Sequence, residues 1–229
     1  MKESNVFKQL DSSDLIAYQS SVLKLIGTYY VNPEDIFEMI QDERVVYATL
    51  DNRQAVRSLF TSKIYHTEDN KIISYLGLVV SNSRRKDEVS SLMFKHLENV
   101  KNLEFQRKTK AYYYGLTGNF FAYKLVKDFF QNVHPTQYNT EKPNFYEYVV
   151  NHSGYSIEEG TLYKVINSPS IARYKPTYLE KIQRANEIYQ FPYGFTVDET
   201  NGERMLIVCE SADDTKFKKL HASFSQQWQ

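Results

Sequence analysis

The stretch Lys71–Lys101, KIISYLGLVVSNSRRKDEVSSLMFKHLENVK, changes from the pattern of a strand to the pattern of a helix. Its first part, Ile72–Val80, is a run of β-branched, aromatic and aliphatic residues of strand length. After a polar break, apolar residues recur at helical spacing: Val89, Leu92, Met93, Leu97 and Val100. The pattern predicts a strand that leads through a short basic loop into an amphipathic helix.

The loop between the predicted strand and helix has the composition of an anion-binding site. The first amides of a helix have no partners within the helix, and the helix dipole is positive at that end. Arg84, Arg85 and Lys86 add fixed positive charge there. The loop is therefore a candidate for holding the diphosphate of a cofactor. The alternative is an ordinary strand–helix connection with a solvated basic turn.

Composition argues against several classes of protein. The 229 residues suit one large domain or a core domain with an insertion. The 28 basic and 28 acidic residues cancel, whereas a dedicated nucleic-acid binder needs excess positive charge. The longest apolar runs are too short to span a bilayer, and the N-terminus, MKESNVFKQLD, has no apolar signal region. A single cysteine, Cys209, excludes an intramolecular disulfide and a cysteine-based metal site. We expect a soluble, cytoplasmic protein without metal, membrane or nucleic-acid partners.

The rest of the chain predicts a mixed sheet with flanking helices. Upstream of the central stretch we expect a strand at Val6–Leu10, helices at Leu15–Ile26 and from Pro33, and strands at Arg44–Leu50 and Ala55–His66. Downstream we expect a polar connection over 102–110, a strand at Ala111–Thr117 and a helix at Phe120–Phe130. The three strands that end at Val80 form a predicted antiparallel meander.

Residues 132–192 differ in character from the rest. They contain five of the six prolines and many Tyr and Asn residues, with little sustained periodicity. We predict an inserted subdomain there, with helices at 143–151 and Thr177–Tyr189 and a short strand at Thr161–Ile166. A hairpin at Phe195–Glu210 and a helix at Asp213–Phe224 complete the chain.

This order of elements resembles the GNAT acyltransferase superfamily. Three segments are similar to parts of that family: LVVSNSRR at 78–85, YGLTGNFFAYKL at 114–125, and the hairpin at 195–210. Together the similarity covers about residues 5–131 and 193–210. The resemblance implies an α+β fold in three layers, with a mixed, mainly antiparallel central sheet flanked by helices. Residues 1–229 would form one domain, with 132–192 as an inserted lid or acceptor-binding subdomain before the final hairpin.

The resemblance also implies a cofactor site for acetyl-CoA or another acyl-CoA. The backbone of Leu78, Val79 and Val80 would pair with the pantetheine amides in the manner of an added strand. The other residues that the resemblance assigns to cofactor binding are Arg84, Arg85, Lys86, Asp87, Glu88, Val89, Ser90 and Asn119.

The loop departs from the family pattern at one important position. The family usually has R-x-x-G-x-G, and the corresponding residues here are Arg85-Lys86-Asp87-Glu88-Val89-Ser90. Glycine lets backbone amides approach a phosphate closely, whereas the carboxylate of Glu88 adds a repelling charge. Replacing Glu88 by Gly should therefore tighten CoA binding or leave it unchanged.

Acyl transfer to an amine needs a base for the amine and an acid for the leaving thiolate. Tyr123, which follows Asn119 by four residues, is a candidate acid; the alternative is a core residue on an apolar helix. His66, at the end of a predicted strand, is a candidate base because its unperturbed pKa lies near neutrality; the alternative is a surface residue. Tyr75 and Tyr112–Tyr114 could line the acyl or acceptor pocket, or simply pack on the sheet.

These features predict an acyl-CoA-dependent N-acyltransferase. It would transfer an acetyl or other acyl group to an amine of a small molecule or protein by direct attack. The alternative is a catalytically inactive GNAT-fold module that binds a ligand or a partner protein. The sequence leaves homodimer formation open.

Overall fold

A computed structural model of the chain describes residues 6–41, 44–83, 86–136, 141–159, 161–166, 172–189 and 203–225. The strands within these ranges are β1 (Val6–Leu10), β2 (Val45–Leu50), β3 (Val56–His66), β4 (Ile72–Ser81), β5 (Ala111–Thr117), β6 (Gln131–His134), β7 (Lys164–Val165) and β8 (Arg204–Glu210). The helices are α1 (Ser12–Ala17), α2 (Gln19–Ile26), α3 (Pro33–Gln41), α4 (Lys86–Arg107), α5 (Phe120–Phe129), α6 (Tyr146–Ser153), α7 (Pro176–Ile188) and α8 (Asp214–Phe224).

The strands form one sheet in the order β1-β2-β3-β4-β5-β8-β6, and β7 also pairs with β8. β4 and β5 pair in parallel, and the other described strand pairs are antiparallel. Helices cover both faces of this sheet. The predicted α+β class, with a mixed and mainly antiparallel central sheet, is confirmed.

Two hydrophobic clusters fill the two faces of the sheet in the β2–β3 region. Tyr47 belongs to the cluster that contains Leu97 of α4, whereas its neighbours Val46 and Ala48 belong to the cluster that contains Ile36 of α3. Successive side chains of a strand point to opposite faces, so one strand supplies both clusters. We call these sides of the sheet the α4 face and the α3 face.

The helix predicted after the basic loop is longer than its apolar pattern indicates. α4 begins at Lys86 and continues to Arg107, so the polar connection expected over 102–110 is wrong. Its last turns lie on the surface: Phe105 is 86% exposed, and Lys101 and Glu104 form an ion pair at 3.1 Å. A helical turn with few buried residues has no apolar periodicity to reveal it.

Other boundaries differ in smaller ways. The predicted helix Leu15–Ile26 is two helices that meet at Tyr18, and α1 begins with a capping box formed by Asp11 and Asp14. β6 was not predicted. The first strand of the expected hairpin falls outside the described residues, and its second strand, β8, lies between β5 and β6. No helix in the described part of the chain is long and apolar enough to cross a membrane.

Candidate functional site

The site is built where β4 and β5 separate. Their parallel pairing runs from Ile72↔Ala111 to Leu76↔Gly115 and ends there, although β4 continues to Ser81. A bulge lies at the same place, because the β3–β4 register passes from Ser62↔Leu76 to Phe60↔Val79 and gives β4 one extra residue. Beyond Leu76, the edge of β4 that faces β5 has no strand partner among the described residues.

Gly77 is the residue that lets the strands pack closely at the bulge. A β-carbon there would lie 2.4 Å from Thr61 Oγ1 and 2.9 Å from the Thr61 carbonyl oxygen, so no larger residue fits without a shift. The amide of the next residue, Leu78, donates to Thr61 Oγ1 at 2.8 Å. The bulge is thus fixed by one side chain of β3.

A cavity of about 820 Å³ passes through the separation of the two strands. On the α4 side it is lined by Val89 and Ser90 from the first turns of α4. On the α3 side its walls are largely aromatic. The tyrosines that line it are Tyr30, Tyr75, Tyr155, Tyr174, Tyr178 and Tyr189. The cavity therefore has contact with both faces of the sheet.

The polar centre on the α3 side, which we call the Arg44 corner, consists of Arg44, Tyr75, Gly77 and Tyr155. The Arg44 guanidinium carbon lies 5.2 Å from the centre of the Tyr75 ring, a cation–π arrangement. Its Nη1 lies 3.0 Å from the position of a β-carbon on Gly77. This buried nitrogen has no hydrogen-bond partner among the described residues.

The two tyrosines of the Arg44 corner both pack against Tyr114, whose ring centre lies 5.2 Å from that of Tyr75 and 6.1 Å from that of Tyr155. Burial raises the pKa of Tyr155 well above its usual value, and the nearby charge of Arg44 only partly opposes that rise. Tyr155 is therefore protonated at neutral pH, and its phenol offers a hydrogen-bond donor in the cavity wall.

The side chain of Glu88 does not lie where a carboxylate in the predicted phosphate-binding loop was expected. Its side chain is buried on the α4 face and accepts hydrogen bonds from Thr49 Oγ1 at 3.1 Å, Ser58 Oγ at 3.0 Å and Ser83 Oγ at 2.7 Å. The carboxylate is thus bonded to the sheet and to the loop that precedes α4. The expectation that Glu88→Gly tightens CoA binding, which assumed a carboxylate that repels phosphate, stays untested.

The other predicted cofactor residues are distributed as follows. Leu78, Val79, Val89, Ser90 and Asn119 line the cavity. Val80 is buried in the cluster of the α3 face, and Lys86 and Asp87 form the start of α4. Arg84 and Arg85 lie outside the described residues. Asn119 caps α5, because its Oδ1 accepts the amide of Phe121 at 2.8 Å.

The structure does not bring the two candidate catalytic residues to the cavity. Tyr123 is buried in α5, and its hydroxyl donates to the Pro135 carbonyl oxygen at 2.6 Å. His66 is exposed and pairs with Ile72 at the start of β4, whereas the cavity contacts β4 from Tyr75 onward. Tyr123 occupies the core position that was its alternative, and His66 the surface position.

Of the tyrosines expected in a pocket, only Tyr75 lines the cavity. Tyr113 is buried on the α4 face beside Ser211, and Tyr114 packs against the Tyr75 ring with centroids 5.2 Å apart. Sequence reasoning missed Arg44, Tyr155, Tyr174 and Tyr178. No short-range pattern marks them, because they come from segments that only the fold brings together.

α7 borders the cavity through Tyr178 and is attached at both ends. Before its start, Tyr174 stacks on Tyr30 with centroids 4.7 Å apart. At its end, Asn186 accepts the amide of Phe120 at 2.9 Å and donates to the Gly118 carbonyl oxygen at 2.7 Å. α7 therefore connects the α2–α3 turn to the β5–α5 junction.

The described residues form neither a metal site nor a site with a reactive cysteine. In the described part of the chain, no group of three or more His, Cys, Asp or Glu residues could hold a metal ion. Cys209 is fully buried in β8, and burial raises the pKa of its thiol well above the usual value. A thiol in that environment is not an activated nucleophile.

Comparisons with known proteins give similarity of fold only. No protein-family model matches the chain, and no curated protein matches it in sequence. Tetrahymena GCN5 is 13% identical, with 86% of each chain covered and a TM-score of 0.44. The aminoglycoside 6'-N-acetyltransferase from Enterococcus faecium is 11% identical, with 90% of this chain and 96% of that chain covered and a TM-score of 0.43. An acetyltransferase of Trypanosoma brucei is 14% identical, with 60% of this chain and 99% of that chain covered and a TM-score of 0.41.

Among the described strands, the order, the one parallel pair and the separation of β4 from β5 give the mixed, mainly antiparallel sheet flanked by helices that the GNAT resemblance implied.

Proposed function

We propose that the protein is an acyl-CoA-dependent N-acyltransferase that moves an acetyl or other acyl group to an amine of a small molecule or protein. The observation that supports this most is the cavity through the separated strands β4 and β5. It is lined from both faces of the sheet, so two substrates can enter from opposite sides and meet at the bulge. A cytoplasmic location, and the absence of nucleic-acid and membrane partners, belong to the same proposal.

In this proposal the acyl-CoA lies along β4. The unpartnered edge of the strand at Leu78, Val79 and Val80 pairs with its amides, as in the addition of a strand to a sheet. The first amides of α4, from Lys86 to Ser90, hold the diphosphate together with Arg84 and Arg85. The position of Glu88 supports this role, because its carboxylate is bonded to three hydroxyls of the sheet and loop.

The amine nitrogen attacks the thioester carbonyl carbon; a C–N bond forms, the C–S bond breaks, and the thiolate takes a proton. Tyr155 is the proton donor we propose, because it lines the cavity in its protonated form. Tyr123 and His66 have no place in this scheme. The amine loses its proton to solvent.

The cofactor proposal is tested by a thermal shift of the full chain with acetyl-CoA and longer acyl-CoAs. Binding at well below millimolar concentration should raise Tm by mass action. Ser90→Asp, which places a carboxylate where α4 faces the cavity, should abolish the shift, and Ser223→Asp on the exposed side of α8 is the matched control. No shift with any thioester would overturn the proposal.

The assignment of Tyr155 is tested by kinetics. Tyr155→Phe should lower kcat by about 10–100-fold, because it removes the acid, while KM for the acyl-CoA stays within about twofold. Tyr123→Phe and His66→Gln should leave kcat within about twofold of the wild type. A normal kcat for Tyr155→Phe would show that the leaving thiolate is protonated by another group.

The second candidate is a catalytically inactive GNAT-fold module that binds a ligand or partner protein. It is favoured by one observation: neither Tyr123 nor His66 lines the cavity. A thermal shift with acyl-CoA but no thiol release across a broad panel of amines would select this alternative.

A further inference from the structure

Arg44 is the one described residue of the cavity wall with a buried side-chain nitrogen that lacks a hydrogen-bond partner. The other arginine that lines the cavity, Arg204, donates to the carbonyl oxygens of Glu203 at 2.7 Å and Ala172 at 3.2 Å. No described carboxylate forms an ion pair with Arg44. The two arginines thus share one cavity, and only Arg204 has its bonds completed by the protein.

A guanidinium in this condition is costly unless something binds it. Burial of a charged donor without an acceptor is unfavourable, and contact with the Tyr75 ring offsets only part of that cost. Arg44 comes directly before β2, whose side chains on the α3 face are core residues such as Val46. Its head group instead reaches the bulge at Gly77. The side chain is held where a ligand in the cavity would meet it.

We infer that Arg44 binds a carboxylate of the substrate. The inference rests on the proposed function and specifies the class of its substrate. A guanidinium presents its N–H groups in a planar fork that matches the two oxygens of a carboxylate. The Arg44 guanidinium lies over the ring of Tyr75, and Tyr155 lines the same cavity, so a small anion bound to Arg44 would meet aromatic surface as well as donors.

The position of the corner limits which part of a substrate carries the carboxylate. Gly77 belongs to the bulge from which β4 separates from β5, and Arg44 Nη1 is close to it. The anion is therefore near the reacting thioester. It belongs either to the amine acceptor, as in an amino acid, or to the acyl group, as in a dicarboxylic acyl-CoA.

The test measures binding to the full chain by calorimetry, with two sets of matched probes. The acceptor set compares phenylalanine and methionine with the corresponding α-carboxamides. The acyl set compares succinyl-CoA with butyryl-CoA, which has the same carbon chain without the carboxylate. In at least one set the carboxylate-bearing probe should bind about tenfold or more tightly than its partner without that carboxylate, as expected for a charge-assisted bidentate contact.

The variants decide whether Arg44 causes that preference. Arg44→Gln should reduce it to below about twofold, and Arg44→Lys should retain part of it, because the charge remains without the fork. Arg53→Gln removes an equal charge from an exposed turn and should change nothing. The far-ultraviolet circular dichroism of each variant shows that it is folded.

Two results would overturn the inference: no carboxylate-bearing probe in either set binds better than its partner without the carboxylate, or the preference survives in Arg44→Gln. Failure of the proposed function would be seen separately. In that case acetyl-CoA and butyryl-CoA would not bind, while the acceptor set would still show the preference and its loss in Arg44→Gln.

Discussion

Glu88 and Arg44 are both charged residues with buried polar atoms, and they lie on opposite faces of the same sheet. Glu88 accepts bonds from three hydroxyls that belong to β2, β3 and the loop before α4. Arg44 makes a cation–π contact and leaves Nη1 without a partner among the described residues. Burial alone does not distinguish their roles. The completeness of their hydrogen bonding does, because a fully bonded charge serves the fold and an incompletely bonded one is available to a ligand.

The largest effect that tests this comparison is the removal of Glu88. Glu88→Ala should lower the free energy of unfolding by about 3 kcal/mol, because three buried or half-buried hydroxyls lose their acceptor. Glu88→Gln should cost less, since an amide oxygen still accepts. Urea unfolding measures both, and Glu187→Ala on the exposed side of α7 is the control. A loss below about 1 kcal/mol for Glu88→Ala would contradict the structural role.

His96 is a third buried polar residue that can be compared with Glu88 and Arg44. Its imidazole is hydrogen-bonded in the neutral form. Its ring nitrogens contact Ser62 Oγ at 3.1 Å and Ser74 Oγ at 2.7 Å, and burial lowers its pKa to about 3. Below pH 6.5 the unfolded chain takes up a proton at this residue and the folded chain does not. The free energy of unfolding should therefore fall by about 1.4 kcal/mol per pH unit from this group as pH decreases from 6.5 toward 3.

The pH effect is isolated by subtraction. The difference in unfolding free energy between pH 7 and pH 5 should be about 2 kcal/mol smaller in His96→Gln than in the wild type. His221→Gln, which replaces an exposed histidine of α8, should keep the wild-type difference. An unchanged pH dependence in His96→Gln would mean that the buried ring is not the group that titrates.

The smallest effect is expected at Arg44. Arg44→Met should change the free energy of unfolding by less than about 0.5 kcal/mol or raise it, because the apolar side chain removes a buried nitrogen without a partner among the described residues and keeps packing on Tyr75. Arg204→Met is the matched control and should cost about 1–2 kcal/mol, since two carbonyl oxygens lose their donor. An equal loss of unfolding free energy in the two variants would contradict the distinction between Arg204, which stabilises the fold, and Arg44, which is available to a ligand.

The sequence was sufficient to predict the strands and helices at the centre of the sheet. β4, the start of α4 and β5 all have buried faces, so their apolar residues report the period of the backbone. The end of α4 and β6 were missed because few of their residues are buried, and the pattern that reveals an element depends on burial. The extent of burial therefore explains both why the central elements were predicted and why the end of α4 and β6 were not.

The candidate site was only partly predictable. Leu78, Val79, Val89 and Ser90 were assigned to the site by the family resemblance, and they do line the cavity. The role of Glu88 depends on hydroxyls of β2 and β3, which no local pattern connects with it. The Arg44 corner joins residues 44, 75 and 155, so it exists only after the sheet and the segment after α6 have packed together.

The attachment of α7 at its two ends affects how the cavity can change during evolution. Its contacts with the β5–α5 junction come through Asn186, and the residue before it, Tyr174, stacks on the α2–α3 turn. Between these points, Tyr178 lines the cavity from outside the sheet. Mutations on this inward side can therefore reshape the outer wall while β4, β5 and α4 keep theirs. A lineage with this arrangement can change the shape of its cavity through one helix and inherit the rest of the cavity wall intact.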